Sequence, residues 1–169
     1  MTTLLDDAMA HHVWATDRLL DACEPLTPEQ LRAPLPGTYG PIIDTFRHMV
    51  GADGWYLSFF RDWANPLRED GPGGLPELRA ANAANGDAWM ALLRDGIDPE
   101  ADVPETGDQW VFHAPAGFRL AQTIQHGTDH RSQICTALTT LGIEPPEIDL
   151  WAWGEATGRT RAEDLRHQG

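Results

Sequence analysis

The stretch QHGTDHRSQI, residues 125–134, decides how the rest of the chain is read. His126 and His130 stand four residues apart. Four residues is a little over one turn of an α-helix, so on a helix both imidazoles leave the same face. At about 100° per residue they lie about 40° apart, and Arg119, Gln122, Gln133 and Ala137 share their side of the wheel. Cys135 falls roughly opposite and is a poor third ligand for a site built on these histidines. By itself the pair admits three readings: two metal ligands, two surface histidines, or a hydrogen-bonded core pair. Gly127 stands where the zinc-protease pattern needs a glutamate, which excludes that pattern.

Working outward, apolar residues recur at helical spacing and predict a fourth helix over about residues 118–141, with Gly142 as its stop. Thr3 and Asp6 can cap a first helix running to about Ala22, with Leu5, Met9, His12, Thr16, Leu19 and Cys23 on its inner face. Residues 25–40 are rich in proline and glycine and read as a long connection. Pro41 is placed as the first residue of a second helix, marked by Ile42, Phe46, Met49, Asp53 and Tyr56 and ending near Trp63. After a loop with Gly71, Pro72, Gly73 and Gly74, Pro76 opens a third helix through Leu78, Trp89, Leu92 and Leu93, closed by Gly96. Residues 98–117 are the least helical, with a brief extended piece at 109–113. Pro145 and Pro146 break the chain before a short helix at 150–157. The expectation is an all-α four-helix bundle with a short C-terminal helix, in one domain over residues 1–169.

Composition narrows the function. A chain of 169 residues with 41% hydrophobic content suits a single core, and no run of eighteen apolar residues suggests a membrane span. The opening MTTLLDDAMAHH lacks the basic-then-apolar order of a signal peptide, so a cytoplasmic location is expected. Twelve basic residues against 26 acidic ones give a net charge of −14, which disfavours nucleic acid and anionic membranes as partners. All the basic residues are arginine, so lysine Schiff bases and a Walker-type phosphate loop are excluded. Cys23 and Cys135 form no CxxC pair and read as reduced thiols, and there is no GxSxG motif for a serine hydrolase.

A third histidine, His48, falls mid-way along the second helix, near Thr45, Ala52, Trp55 and Phe59. It reads either as a hydrogen-bonded core histidine or as a further ligand, since bundle interiors are where facing helices assemble metal sites. Three histidines with an open position would make a catalytic-type site, whereas a closed structural site needs four ligands. Asp44, one turn earlier, reads as a carboxylate orienting His48 or as an ordinary first-turn acid.

The runs HHVWATDRLL (residues 11–20), FRHMVGADGWYLSFF (46–60) and HGTDHRSQICTALTTLGIEPPEIDLWAW (126–153) resemble the DinB/YfiT-like metal-binding superfamily. That resemblance implies an up-down-down-up bundle, commonly a homodimer, in which His48, His126 and His130 bind a divalent metal, often zinc or nickel. Members with established chemistry are often thiol-dependent transferases that use mycothiol, bacillithiol or glutathione, maleylpyruvate isomerases among them. The implied function is a metal-dependent S-transferase or isomerase acting on a small electrophile with a low-molecular-weight thiol. The alternatives are a metal-dependent hydrolase, a non-catalytic metal-binding stress-response module, and a bundle with no metal. His12 occupies a position where the family often has asparagine, and reads as a fourth ligand, a partner of one, a proton carrier or a core histidine. Arg119 and Gln122 are candidate anchors for a carboxylate on thiol or substrate, Arg119 otherwise being a solvated helix-start residue. Trp55 and Phe59 offer an apolar wall or plain packing, Asp129 is a surface residue, and His11, His113 and His167 receive no role.

Overall fold

The structure is a computed structural model that describes residues 2–67 and 73–163. Gly71 and Pro72 of the expected loop, and His167, lie outside the described residues. Among the described residues the chain is all-α apart from one small strand pair: α1 (Leu4–Cys23), α2 (Pro28–Leu31), α3 (Ile42–Ser58), α4 (Leu75–Asp95), β1 (Glu105–Thr106), β2 (Val111–Phe112), α5 (Ala116–Thr140) and α6 (Leu150–Ala156).

Local chemistry sets the ends of these helices. Thr3 Oγ1 accepts from the Asp6 N–H at 3.2 Å while Asp6 Oδ2 accepts from the Thr3 N–H at 2.7 Å, a reciprocal cap on α1. The same device makes α2, a single turn inside what reads as a plain connection: Gln30 N–H donates to Thr27 Oγ1 at 3.2 Å and Thr27 N–H to Gln30 Oε1 at 2.9 Å. The signal, TPEQ with proline at the first helical position, is present in the sequence but carries no apolar period. Pro41 caps α3 from outside rather than beginning it. α3 also stops at Ser58, short of the expected Trp63. Beyond that end the chain doubles back, and the Asn65 side chain donates to the Gly51 carbonyl at 2.8 Å and accepts from the Leu67 N–H at 3.1 Å. At the end of α5, Gly142 takes φ 77°, its N–H bonds Thr139 O at 2.9 Å, and Ile143 N–H reaches Leu138 O at 3.0 Å.

β1 and β2 pair antiparallel, Glu105 opposite Phe112 and Thr106 opposite Val111. The extended piece expected at 109–113 covers β2 and misses β1, whose two residues are too few to show a period of two.

α1 packs against α4 and α5, and α3 packs against the same two helices, while α6 lies on α1. Two apolar clusters result. One gathers Leu19, Leu20, Phe46, Met49, Val50, Leu78, Ile134 and Leu138, and the other Met9, Leu57, Trp89 and Leu120. On each long helix, buried polar residues fall between the residues of the two clusters: His12 and Thr16 on α1, Asp53 on α3, Asn82 and Asn85 on α4, Thr123 and Arg131 on α5. The core is therefore layered, apolar then polar then apolar. Among the described residues no helix is long and apolar enough to cross a membrane.

Candidate metal centre

α3 carries His48 from one side and α5 carries His126 and His130 from the other, so an imidazole cluster forms where these two helices meet. His126 Nε2 lies 3.0 Å from His48 Nε2, and one nitrogen of each of the three rings lies within 4.8 Å of the others. Ring centroids are 4.9, 4.7 and 4.5 Å apart, all edge to face. Two nitrogens each bonded to a tetrahedral ion at about 2.0–2.1 Å stand about 3.3 Å apart, close to the observed His48–His126 spacing.

Three observations fit this cluster to a divalent cation. Among the described residues the group contains no carboxylate, so its donors there are imidazole nitrogens suited to borderline metals. His126 Nδ1 is buried without a hydrogen-bond partner among the described residues, and Nε2 is the atom that meets His48. Burial, followed by the neighbouring His130 and His48, pushes the His126 pKa down to about 4 against the pull of Asp53, keeping its lone pair available. His48, His126 and His130 could therefore hold a metal ion.

Aromatic residues frame the cluster. The Tyr39 ring stacks on His48 with centroids 4.1 Å apart and 14° between planes, and meets His130 edge-on at 5.3 Å. Tyr56 faces His126 at 5.8 Å, and its hydroxyl accepts from Gln122 Nε2 at 3.4 Å. Trp55, 45% exposed, packs edge-on against Phe59 at 4.7 Å. Sequence reasoning missed Tyr39 altogether and placed Gln133 on the right face without a role. No local pattern could have found Tyr39, because its contact with Gln133 spans 94 positions.

The other candidates are placed as follows. His12 is fully buried and outside the cluster. Arg131 Nη1 lies 3.1 Å from His12 Nδ1, and since a guanidinium only donates, Nδ1 accepts and Nε2–H donates to Asp53 Oδ2 at 2.7 Å. Arg131 also donates to His12 O at 3.2 Å and Thr128 Oγ1 at 3.1 Å. Arg119 is 5% exposed rather than a solvated helix-start residue. Its Nε donates to Val103 O at 2.7 Å, Nη2 to Phe112 O at 3.5 Å, and its guanidinium lies over the Phe59 ring at 4.3 Å. These contacts fasten the strand pair to α5.

Asp44 pairs with Arg47 at 3.1 Å, and Asp129 accepts from Gln125 at 3.0 Å. His11 Nε2 lies 2.7 Å from Ile148 O, and exposed His113 pairs with Asp102 at 2.7 Å. Cys23 is buried, which pushes its thiol up to about 12, and burial also raises Cys135.

A model of the DinB family matches residues 1–163 of this chain. No curated protein matches it.

Proposed function

The chain belongs to the DinB family, and from that premise we propose that it is a divalent-metal-dependent enzyme, a thiol-dependent S-transferase or isomerase. The observation that carries this reading is the set of three imidazoles that two helices bring together, a group that among the described residues includes no carboxylate. An ion held by neutral ligands keeps its positive charge and lowers the pKa of a thiol or water that reaches it.

The chain's own residues divide the remaining work. His48, His126 and His130 would hold the ion, zinc or nickel by family resemblance. Tyr39 and Tyr56, the latter backed by Trp55, supply an aromatic rim that favours a small electrophile with apolar surface. Asp44 and Asp129, the nearest acids in sequence to the ligands, are engaged with Arg47 and Gln125. Among the described residues, an ion that would itself acidify the nucleophile suits this arrangement better than attack assisted by either of these acids. Gln122 is the remaining candidate anchor for a carboxylate, because Arg119 already spends donors on backbone carbonyls.

The same proposal takes the four long helices as an up-down-down-up bundle. Supporting it, Met9 shares a cluster with Leu120 and Thr16 meets Arg131, as for parallel α1 and α5. Arg79 pairs with Asp17 and Glu24 whereas Asn82 bonds Val13 O, as for antiparallel α1 and α4. A homodimer, and a thiol plus a small electrophile as partners, complete the reading.

The test is elemental analysis of natively purified protein beside a His48→Ala, His126→Ala, His130→Ala triple variant, followed by turnover assays of the metal-loaded chain. About one divalent ion per chain, lost in the variant, with turnover only when a low-molecular-weight thiol is added, supports the transferase. Thiol-independent cleavage of esters or amides moves the assignment to a hydrolase. Metal without turnover leaves a binding module, and equal metal in both proteins sinks the site.

A further inference from the structure

One side-chain oxygen joins two parts of the cluster that are far apart in sequence. Gln133 Oε1 accepts from the Tyr39 backbone N–H at 2.8 Å and lies 3.2 Å from His130 Nδ1. A backbone N–H only donates, so the atom facing it is the amide oxygen and the orientation of the Gln133 amide is settled. That oxygen only accepts, so His130 Nδ1 must carry the proton and donate to it. In that tautomer the lone pair is on Nε2, the atom through which His130 would bind an ion. A single chain of donors and acceptors thus runs from a loop amide to the identity of a ligand atom.

The same bond positions an aromatic ring. Tyr39 sits in the connection before α3, just past Gly37, whose φ is 80°. Thr38 Oγ1 tightens this turn by bonding Leu35 O at 2.8 Å and Gly40 O at 3.0 Å. With its N–H held by Gln133, Tyr39 lays its ring flat on His48. His48 comes from α3 and Gln133 from α5, so the Tyr39 turn bridges the two helices that supply the imidazoles.

We propose that Gln133 is a positioning residue: its oxygen selects Nε2 of His130 as the ligand atom and clamps the Tyr39 turn over His48, coupling metal occupancy to the order of that turn. This inference rests on the metal-binding reading of the three histidines. Partners of this kind on ligating histidines typically change metal affinity about 10–100-fold when removed. Because coupling between two events is reciprocal, a turn that strengthens metal binding must itself be held more firmly when metal is bound.

The experiment uses the full chain and zinc alone. Imidazole nitrogen and proton shifts of the metal-free protein report the His130 tautomer, and chelator competition reports zinc affinity. In wild type, His130 is the Nδ1–H tautomer and zinc slows exchange of the Tyr39 amide. Gln133→Leu loses the tautomer preference, binds zinc about 10–100-fold more weakly and shows no slowing at Tyr39. Gln133→Glu keeps an acceptor oxygen and keeps all three properties, which separates acceptance from packing. Unchanged tautomer and affinity in Gln133→Leu, or equal losses in Gln133→Leu and Gln133→Glu, would overturn the proposal. A wild type that binds no zinc while showing the Nδ1–H tautomer would overturn the metal reading and the coupling, and leave the hydrogen-bond assignment standing.

Discussion

His12 Nε2 lies 2.7 Å from Asp53 Oδ2, and both side chains are buried in the polar layer that separates the two apolar clusters. Arg131 closes the group from the opposite side of the imidazole. Burial lowers the Arg131 pKa to about 10 and the Asp53 charge opposes that shift, so the carboxylate is the compensating partner of the buried guanidinium. Asp53→Ala leaves that cation uncompensated and is expected to cost about 3–5 kcal/mol of stability. Urea unfolding measures it, and a loss under about 1 kcal/mol would mean that water or another group already serves Arg131. A His12→Ala, Asp53→Ala double-mutant cycle should show strong coupling between the two positions.

Gly127 separates His126 from the rest of the HGTDH stretch and faces α1. A Cβ there would run into His12 Cε1 and would lie 2.9 Å from Arg131 Nη1. Alanine gains about 1 kcal/mol over glycine in an open helix. Here overpacking of about 1–3 kcal/mol should win, and Gly127→Ala should be destabilised. Denaturation midpoints decide it, and a more stable variant would show that the polar layer has room to shift.

Arg119→Met should release the strand pair from α5, because the charged donors to Val103 O and Phe112 O are lost. The expected cost is about 1.5–3 kcal/mol, with faster proteolysis near residues 105–112 and unchanged zinc affinity. If stability is kept while KM for a carboxylate substrate rises, Arg119 is an anchor and this account of it is wrong.

Cys23 should resist thiol reagents in the native protein. Burial raises its pKa from the ordinary 9.0 to about 12, so at pH 8 almost no thiolate exists. Because the folded pKa is the higher one, the linked stability is complete below about pH 9 and is lost as pH rises toward 12. Disulfide-exchange titration with and without denaturant checks this. Rapid native labelling of Cys23 would refute it, and Cys135 should react more slowly than a free thiol.

Much of this was legible in one dimension because helices are local objects. Capping pairs such as Thr3 with Asp6, the apolar period, and the stops at Gly96 and Gly142 act within a turn or two of chain, so the four long helices and the shared face of His126 and His130 could be read directly. The short turn α2 and the strand β1 were missed because neither is long enough to show a period. Only the tertiary structure decided what faces what. It sent His12 to Asp53 and Arg131 in the core rather than to the cluster, turned Arg119 inward beneath the strand pair, and brought Tyr39 onto His48. Those choices depend on how helices separated by many tens of residues pack, and on which buried donors and acceptors must satisfy one another there. No short-range pattern encodes either.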